Sequence, residues 1–258
     1  MASATKQAAA TKQTAASPRA VLELLPRAVE AIVALSALGY FIGWREVAAY
    51  YSTLGATWAA ASVPPLALLQ LSANLIVVAA AASFFSFLAV LESTAHPGAL
   101  HRAGATTFAL ACGLLAVSQG LLWDVSPFMA YQLALAGSFV CAVTAGITLS
   151  ELLWHTRQPG RKVSPWHLWM VYWVVLPGLF WAPDRLGQAR ALRDASVSHS
   201  SLPVVPHGPG IGRTGEWHLV HMFEGTALLM LPADSPQKRL FKLVEAQDVQ
   251  VASSTADR

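Results

Sequence analysis

Five apolar stretches joined by short polar loops occupy most of the first 181 residues, at about 26–51, 66–91, 106–123, 128–154 and 166–181. Crossing the hydrocarbon core of a bilayer takes roughly 20 apolar residues in a helix. No water is available there, so each segment must satisfy its own backbone polar groups, which leaves α-helices or closed barrels. Stretches of this length fit helices. The first contains only a short clean run, residues 31–44, so Glu30 and Arg45 must lie near the two interfaces and snorkel. The fifth is short and Pro177 interrupts its last turn, so a re-entrant or interfacial segment is the alternative to a fifth span.

The placement of charge agrees. Only 12% of the 258 residues are charged and 55% are apolar, about half the charge of an ordinary soluble domain. Residues 28–183 hold ten of the thirty-one charges: Glu30, Arg45, Glu46, Glu92, Arg102, Asp124, Glu151, Arg157, Arg161 and Lys162. The mean hydropathy of +0.48 excludes a disordered chain and an ordinary cytosolic enzyme. The net charge of +3 comes from the flanks and predicts no nucleic-acid surface.

Basic residues orient the spans. Lys6, Lys12 and Arg19 precede the first stretch and Arg27 stands at its start, Arg102 lies in the second loop, and Arg157, Arg161 and Lys162 lie in the fourth. The first loop has Arg45 alone, close to its span, and the third has only Asp124. Both patterns place the N-terminus and the second and fourth loops inside. Eight of the nine tryptophans, all but Trp217, fall in or beside the spans, as an interfacial belt requires.

The domain plan that follows is a polar, flexible segment over 1–25, a transmembrane helical domain over 26–182, and a tail over 183–258. Residues 1–19 have no apolar core of the kind a secretory signal carries, although their composition overlaps with organellar transit peptides. In the tail, residues 186–195 predict a linking helix. Trp217, Leu219, His221 and Phe223 fall on one face of a period-two strand, Glu224-Gly225 turns the chain, and 226–231 continues apolar. With 202–205, 239–244 and 249–251 this makes five short strands, arranged as a small SH3-like or Sm-like barrel. The fold class expected is an all-α transmembrane bundle of four to five spans followed by a small all-β domain. Five spans place the tail outside, which is the reading favoured; an interfacial fifth segment places it inside.

No catalytic, cofactor or metal site is expected. Gly208-Pro209-Gly210-Ile211-Gly212 is broken by proline and follows no strand–helix transition, so it does not read as a phosphate loop. No nucleophile and base stand at a recognisable spacing. Four histidines lie in the tail, His199, His207, His218 and His221, but His218 and His221 are an odd number apart on a strand and point to opposite faces unless a bulge intervenes. Cys112 and Cys141 lie in apolar stretches and read as small buried hydrophobes.

Polar groups inside apolar helices carry more information. Gln70 and Asn74 are one turn apart on the second stretch, Ser118 and Gln119 come late in the third, and Gln132 early in the fourth. Interhelical hydrogen bonding is the plain reading; a polar conduction path is the sharper one. Glu151 and His155, four apart at the end of the fourth stretch, form a candidate pH-sensitive pair. Ala109, Gly113, Ala116 and Gly120 on the third stretch, and Gly137, Cys141 and Ala145 on the fourth, make small-residue stripes for close helix packing within the bundle or between protomers.

Gly43-Trp44-Arg45, then Tyr50-Tyr51-Ser52-Thr53-Leu54-Gly55, resembles a pattern of uncharacterised bacterial inner-membrane proteins with a few spans and a short β tail. In the tail the matching positions are Leu186-Gly187, Arg193-Asp194 and Leu202-Pro203. The resemblance implies this architecture in a bacterial inner membrane and no activity. The function expected is therefore a non-enzymatic anchor, sensor or scaffold in the bilayer whose residues 200–252 bind a partner protein, by analogy within an envelope, defence or immunity system. The alternative is a small channel or transporter, assembled as a homo-oligomer, with a path lined by Gln70, Asn74, Ser118 and Gln119.

Overall fold

The computed structural model describes residues 18–92, 97–124, 126–157, 176–196, 200–205, 216–223, 225–233, 235 and 238–249. Four long helices dominate: α1 (Pro18–Leu54), α2 (Pro65–Leu91), α3 (Pro97–Asp124) and α4 (Pro127–Arg157). Each begins on a proline, whose fixed φ and missing N–H suit the first helical position. Each contains a segment long and apolar enough to cross a membrane: Ile32–Leu54, Pro65–Leu91, Gly98–Gly120 and Pro127–Thr156. Two starts differ from expectation. α1 begins on Pro18, so Pro26 lies inside the helix, and α3 begins on Pro97, ahead of His101 and Arg102. In both cases an earlier proline takes the starting role, and the helix extends beyond its apolar run. Of the fifth expected stretch, 166–175 lies outside the described residues. Pro177–Trp181 forms one π-helical turn, closed by the Ala182 N–H on the Pro177 carbonyl, and continues into α5 (Ala182–Ala195).

The chain divides into two units, 1–38 and 39–258. In the first, the described part of α1 exposes Val29, Ile32, Val33 and Leu35. All that follows concerns the second unit, in which the helices and the sheet pack together.

Within it, α4 packs against α2, α3 and α5. The close approaches are made at glycines. A Cβ on Gly146 of α4 would stand 2.3 Å from the Ala79 carbonyl oxygen of α2, and one on Gly43 of α1 would stand 2.0 Å from that of Leu68. Beside Gly146, the Ser150 hydroxyl of α4 donates to the Ser83 carbonyl of α2. The α4 stripe is used in this packing: Gly137 lies against Leu115 of α3, and Cys141 is buried in a cluster with Ala111, Leu115 and Ala182. The α3 stripe is not. Ala109, Gly113, Ala116 and Gly120 are all exposed, with nothing within 4 Å of a Cβ built on either glycine. Helix α3 turns Ala111, Leu115 and Ser118 to its neighbours instead.

The sheet is an antiparallel meander of β1 (Val204–Val205), β2 (Trp217–Phe223), β3 (Thr226–Leu231) and β4 (Leu240–Glu245), in that order. Gly225, at φ +78°, takes the left-handed position that joins β2 to β3. After β4 the chain makes a 3-10 turn, Ala246–Asp248, and Val249 follows outside any strand; residues 250 and 251 of the expected last strand lie outside the described residues. Among the described residues the sheet is thus an open four-stranded meander.

A bulge overturns the expected facing of β2. His218 pairs with Met230, but His221 pairs with Leu228, leaving Val220 as the extra residue. His218 and His221 therefore share a face, and His221 lies opposite to Leu219. That face meets the helices: Leu228 and Met230 join Val47, Tyr50, Tyr51 and Leu54 of α1, Leu68 of α2, and Ala191 and Ala195 of α5 in one buried core, with Leu202, Val220 and Phe241 packed against it.

Candidate functional site

The polar chemistry of the described residues gathers where α1 ends. Gly55, at φ +94°, closes the helix: the Gly55 N–H reaches the Ser52 carbonyl (3.2 Å) and the Ala56 N–H reaches that of Tyr51 (2.9 Å). This Schellman arrangement satisfies two of the four carbonyls that a helix end leaves open. Arg239, buried in the β3–β4 connection, takes the other two. Its Nη1 donates to the carbonyls of Thr53 (2.9 Å) and Leu54 (3.5 Å), and its Nε to that of Ala233 (3.0 Å). A cation also suits the negative end of the helix dipole.

Helix α5 lies against the same part of α1 and carries three arginines, Arg185, Arg190 and Arg193, between Asp184 and Asp194. A Cβ on Gly187 would stand 2.2 Å from the Glu46 carbonyl oxygen, so only glycine allows this crossing. On one side Arg45 pairs with Asp184 and covers the Phe180 ring, its guanidinium carbon 5.5 Å from the centroid. At the other end is Asp194, only 1% exposed. It accepts hydrogen bonds from Tyr50 Oη (3.2 Å), Ser201 Oγ (2.8 Å), and Arg193 Nε (3.1 Å) and Nη2 (3.0 Å). A buried carboxylate is stable only when satisfied in this way. The Arg193 guanidinium carbon also stacks 4.1 Å from the Tyr131 ring centre, which ties α4 to the cluster.

Two cavities flank the end of α1. One, of about 570 Å³, is bordered by Trp44, Arg45, Thr57, Asp184 and Gln188. The other, of about 370 Å³, lies among α1, α2, α5 and β2, and its lining includes Glu46, Gln70, Asn74, Arg190 and His221 beside Tyr50 and Tyr51. Glu46 is 5% exposed, and its Oε1 is 3.7 Å from Arg190 Nη1, too far for a hydrogen bond. Arg190 Nε is 3.9 Å from Asp194 Oδ2. Burial, and after it the charge of Arg190, lowers the pKa of His221 below its ordinary value of 6.5. Burial raises that of Asp184, opposed by Arg45.

The polar residues singled out in the sequence fall in several places. Gln70 and Asn74 do share a face and line the second cavity. Ser118 is buried elsewhere, its hydroxyl donating to the Ala130 carbonyl (2.8 Å) between α3 and α4, with Gln119 beside it half-buried, and Gln132 is exposed. The carboxylate of Glu151 faces His101 Nδ1 of α3 (3.3 Å), while His155 Nδ1 donates to the Glu151 backbone carbonyl (2.8 Å). Arg45 pairs with a carboxylate instead of reaching outward alone. His218 Nδ1 lies 3.2 Å from Ser200 Oγ and 3.3 Å from the Leu202 carbonyl; His199 and His207 lie outside the described residues.

Sequence reasoning did not single out Glu46, Asp184, Arg190 or Arg239. The available signal was the density of charge in 184–194 together with Arg45-Glu46, two segments otherwise poor in polar residues. The residues quoted for the inner-membrane resemblance meet at this junction: Gly43 on α2, Arg45 on Asp184, Tyr50 on Asp194, Gly187 on α1, and Leu202 against the core. Compared with protein-family models, with curated proteins and with solved structures, the chain matches none.

Proposed function

We propose that this chain is a non-enzymatic integral membrane protein of the bacterial inner-membrane kind, in which a helical anchor holds a small sheet rigidly for a partner protein to read. The observation that carries this is the two-sidedness of the sheet. One face packs against the helices through Leu228 and Met230, with Leu243 at its β4 edge 52% exposed, and Arg239 ties the β3–β4 connection to the end of α1. On the other face, Ala227 and Leu229 are buried, while Met222, opposite Ala227, and Leu240, opposite Leu231, are 51% and 57% exposed. Exposed apolar side chains around a buried apolar centre suit an interface. A sheet fixed to the helices in this way passes a change at that face directly to α1 and α5, which a sensor or scaffold requires. The polar residues of the conduction alternative lie in separate places, so the partner-binding reading has the better support.

The test is site-specific photo-crosslinking of the full chain in native membranes, with the probe at position 222 or 240. A defined adduct with another protein at both positions, lost from the probe at 222 in the Leu240→Lys background and from the probe at 240 in the Met222→Lys background, is the expected result. Adducts only with lipid or with a second copy of the chain would overturn the reading.

A further inference from the structure

We propose that the cavity holding Glu46 and Arg190 is a binding site for a small zwitterion, one that carries a phosphate or carboxylate a few bonds from an ammonium group. This goes beyond partner binding by the sheet and stands or falls separately from it.

The argument begins with unused hydrogen-bonding capacity. Glu46 is nineteen-twentieths buried and lines the cavity, and its ion-pair contact to Arg190 is longer than a hydrogen bond. Both ion-pair contacts of Arg190, at 3.7 and 3.9 Å, leave the N–H fork of its guanidinium open to another acceptor. A buried carboxylate and a guanidinium side by side, neither saturating the other, match a molecule that brings an anionic group to the arginine and a cationic donor to the glutamate. Gln70 and Asn74, one turn apart on the facing helix, add neutral donors and acceptors.

Complementarity narrows the class. Asp194 is already satisfied by Arg193, Tyr50 and Ser201, so Glu46 and Arg190 are the acceptor and the donor left facing the cavity. The lowered pKa of His221 keeps that wall neutral near pH 7. A plain anion would leave Glu46 without a donor and a plain cation would leave Arg190 without an acceptor; a dipolar molecule satisfies both. The volume of about 370 Å³ lies within the range of small-molecule sites, and Val63, Leu71 and Val220 provide an apolar wall for an alkyl portion. Gln70 and Asn74 stand in the first turns of α2, about 8 and 14 Å along the axis from Pro65. If α2 spans, these positions lie at and just below the inner edge of the headgroup layer, so the zwitterion could be a phosphoethanolamine headgroup or the same group free in solution.

The experiment uses the purified full chain in an uncharged maltoside detergent, with the melting temperature followed against three probes: phosphoethanolamine, short-chain phosphatidylethanolamine and short-chain phosphatidylglycerol. Stabilisation by one or both ethanolamine probes, with at least tenfold weaker binding of phosphatidylglycerol, is expected. Binding of phosphoethanolamine itself identifies a soluble ligand, and binding of the lipid alone identifies a headgroup. Glu46→Gln should remove the preference for the zwitterion, and Arg190→Gln should remove binding of both. Asn74→Leu, at an exposed position, should weaken binding and leave the melting temperature without ligand unchanged, which serves if the buried variants fail to fold. No stabilisation by either ethanolamine probe, equal binding of the phosphatidylglycerol probe, or an unaltered response in Asn74→Leu would each overturn the proposal.

Discussion

The α3–α4 contact and the junction of α1, α5 and the sheet are built from opposite materials. Between α3 and α4 the joints are small side chains and hydroxyls, with one carboxylate contact, Glu151 to His101: Gly137 against Leu115, Ser118 on the Ala130 carbonyl, and Ser138 and Thr144 bonded back to their own helix. At the junction they are ion pairs, tyrosines and a buried aspartate with four donor contacts. Small residues let apolar helices approach closely, and this needs nothing that water would supply. Buried charge is expensive to desolvate and weak evidence of stability for its own sake. That most of the buried charge among the described residues gathers at the junction marks it as the place where specificity resides, and α3–α4 as scaffold.

This contrast can be broken most directly at Asp194. Replacing it with alanine leaves Tyr50 and Ser201 without their acceptor and Arg193 with the Ser201 hydroxyl alone, and should destabilise the protein by about 3–5 kcal/mol. Ser138→Ala in α4 should change stability by under ~1 kcal/mol, because its hydroxyl only supplements a helical carbonyl. Unfolding in mixed micelles compares the two; similar losses would erase the distinction.

A second comparison sets one glycine against another. Gly187→Val drives a side chain into the α1 backbone and should destabilise by about 1–3 kcal/mol. Gly113→Val meets nothing and should stay within about 0.5 kcal/mol, by the same assay. A change of oligomeric state in Gly113→Val alone, read by crosslinking, would show that the exposed α3 stripe is used between protomers.

The smallest effect concerns pH. His221 has a lowered pKa in the folded chain, so the unfolded chain binds more protons once the pH falls below about 6.5. Stability is fully present above that value and declines as the pH falls towards the folded pKa. The loss between pH 7.5 and 5.5 should shrink in His221→Gln; an identical pH profile would remove His221 from the account. Glu46 and Arg190 share its cavity and must be kept intact in the comparison.

How much of this was legible in the chain varies with distance along it. Helices α2 and α4 matched their apolar runs because proline starts each one and polar residues end it. The β2–β3 hairpin was visible from its period-two pattern and Gly225, but the bulge at Val220 was not, since nothing in Leu219-Val220-His221 marks an extra residue. The shared face of Gln70 and Asn74 followed from helical spacing alone. Their company did not: Glu46 meets Arg190, Arg45 meets Asp184 and Tyr50 meets Asp194 across well over a hundred positions, and only the crossing permitted by Gly187 brings those helix faces together. The stripe on α3 shows the converse, a pattern fit for packing that the fold leaves exposed.

The end of α1 has a consequence for how the protein is made. Thr53 waits for a donor 186 residues further along the chain. At roughly 5–20 residues per second, Arg239 leaves the ribosome some 10–40 s after the helix it completes. Throughout that interval the first helix ends in two carbonyls held only by solvent or by a helper protein. The nascent chain thus carries a visible mark of incompleteness at its first hairpin, erased only when the last part of the protein folds back onto it.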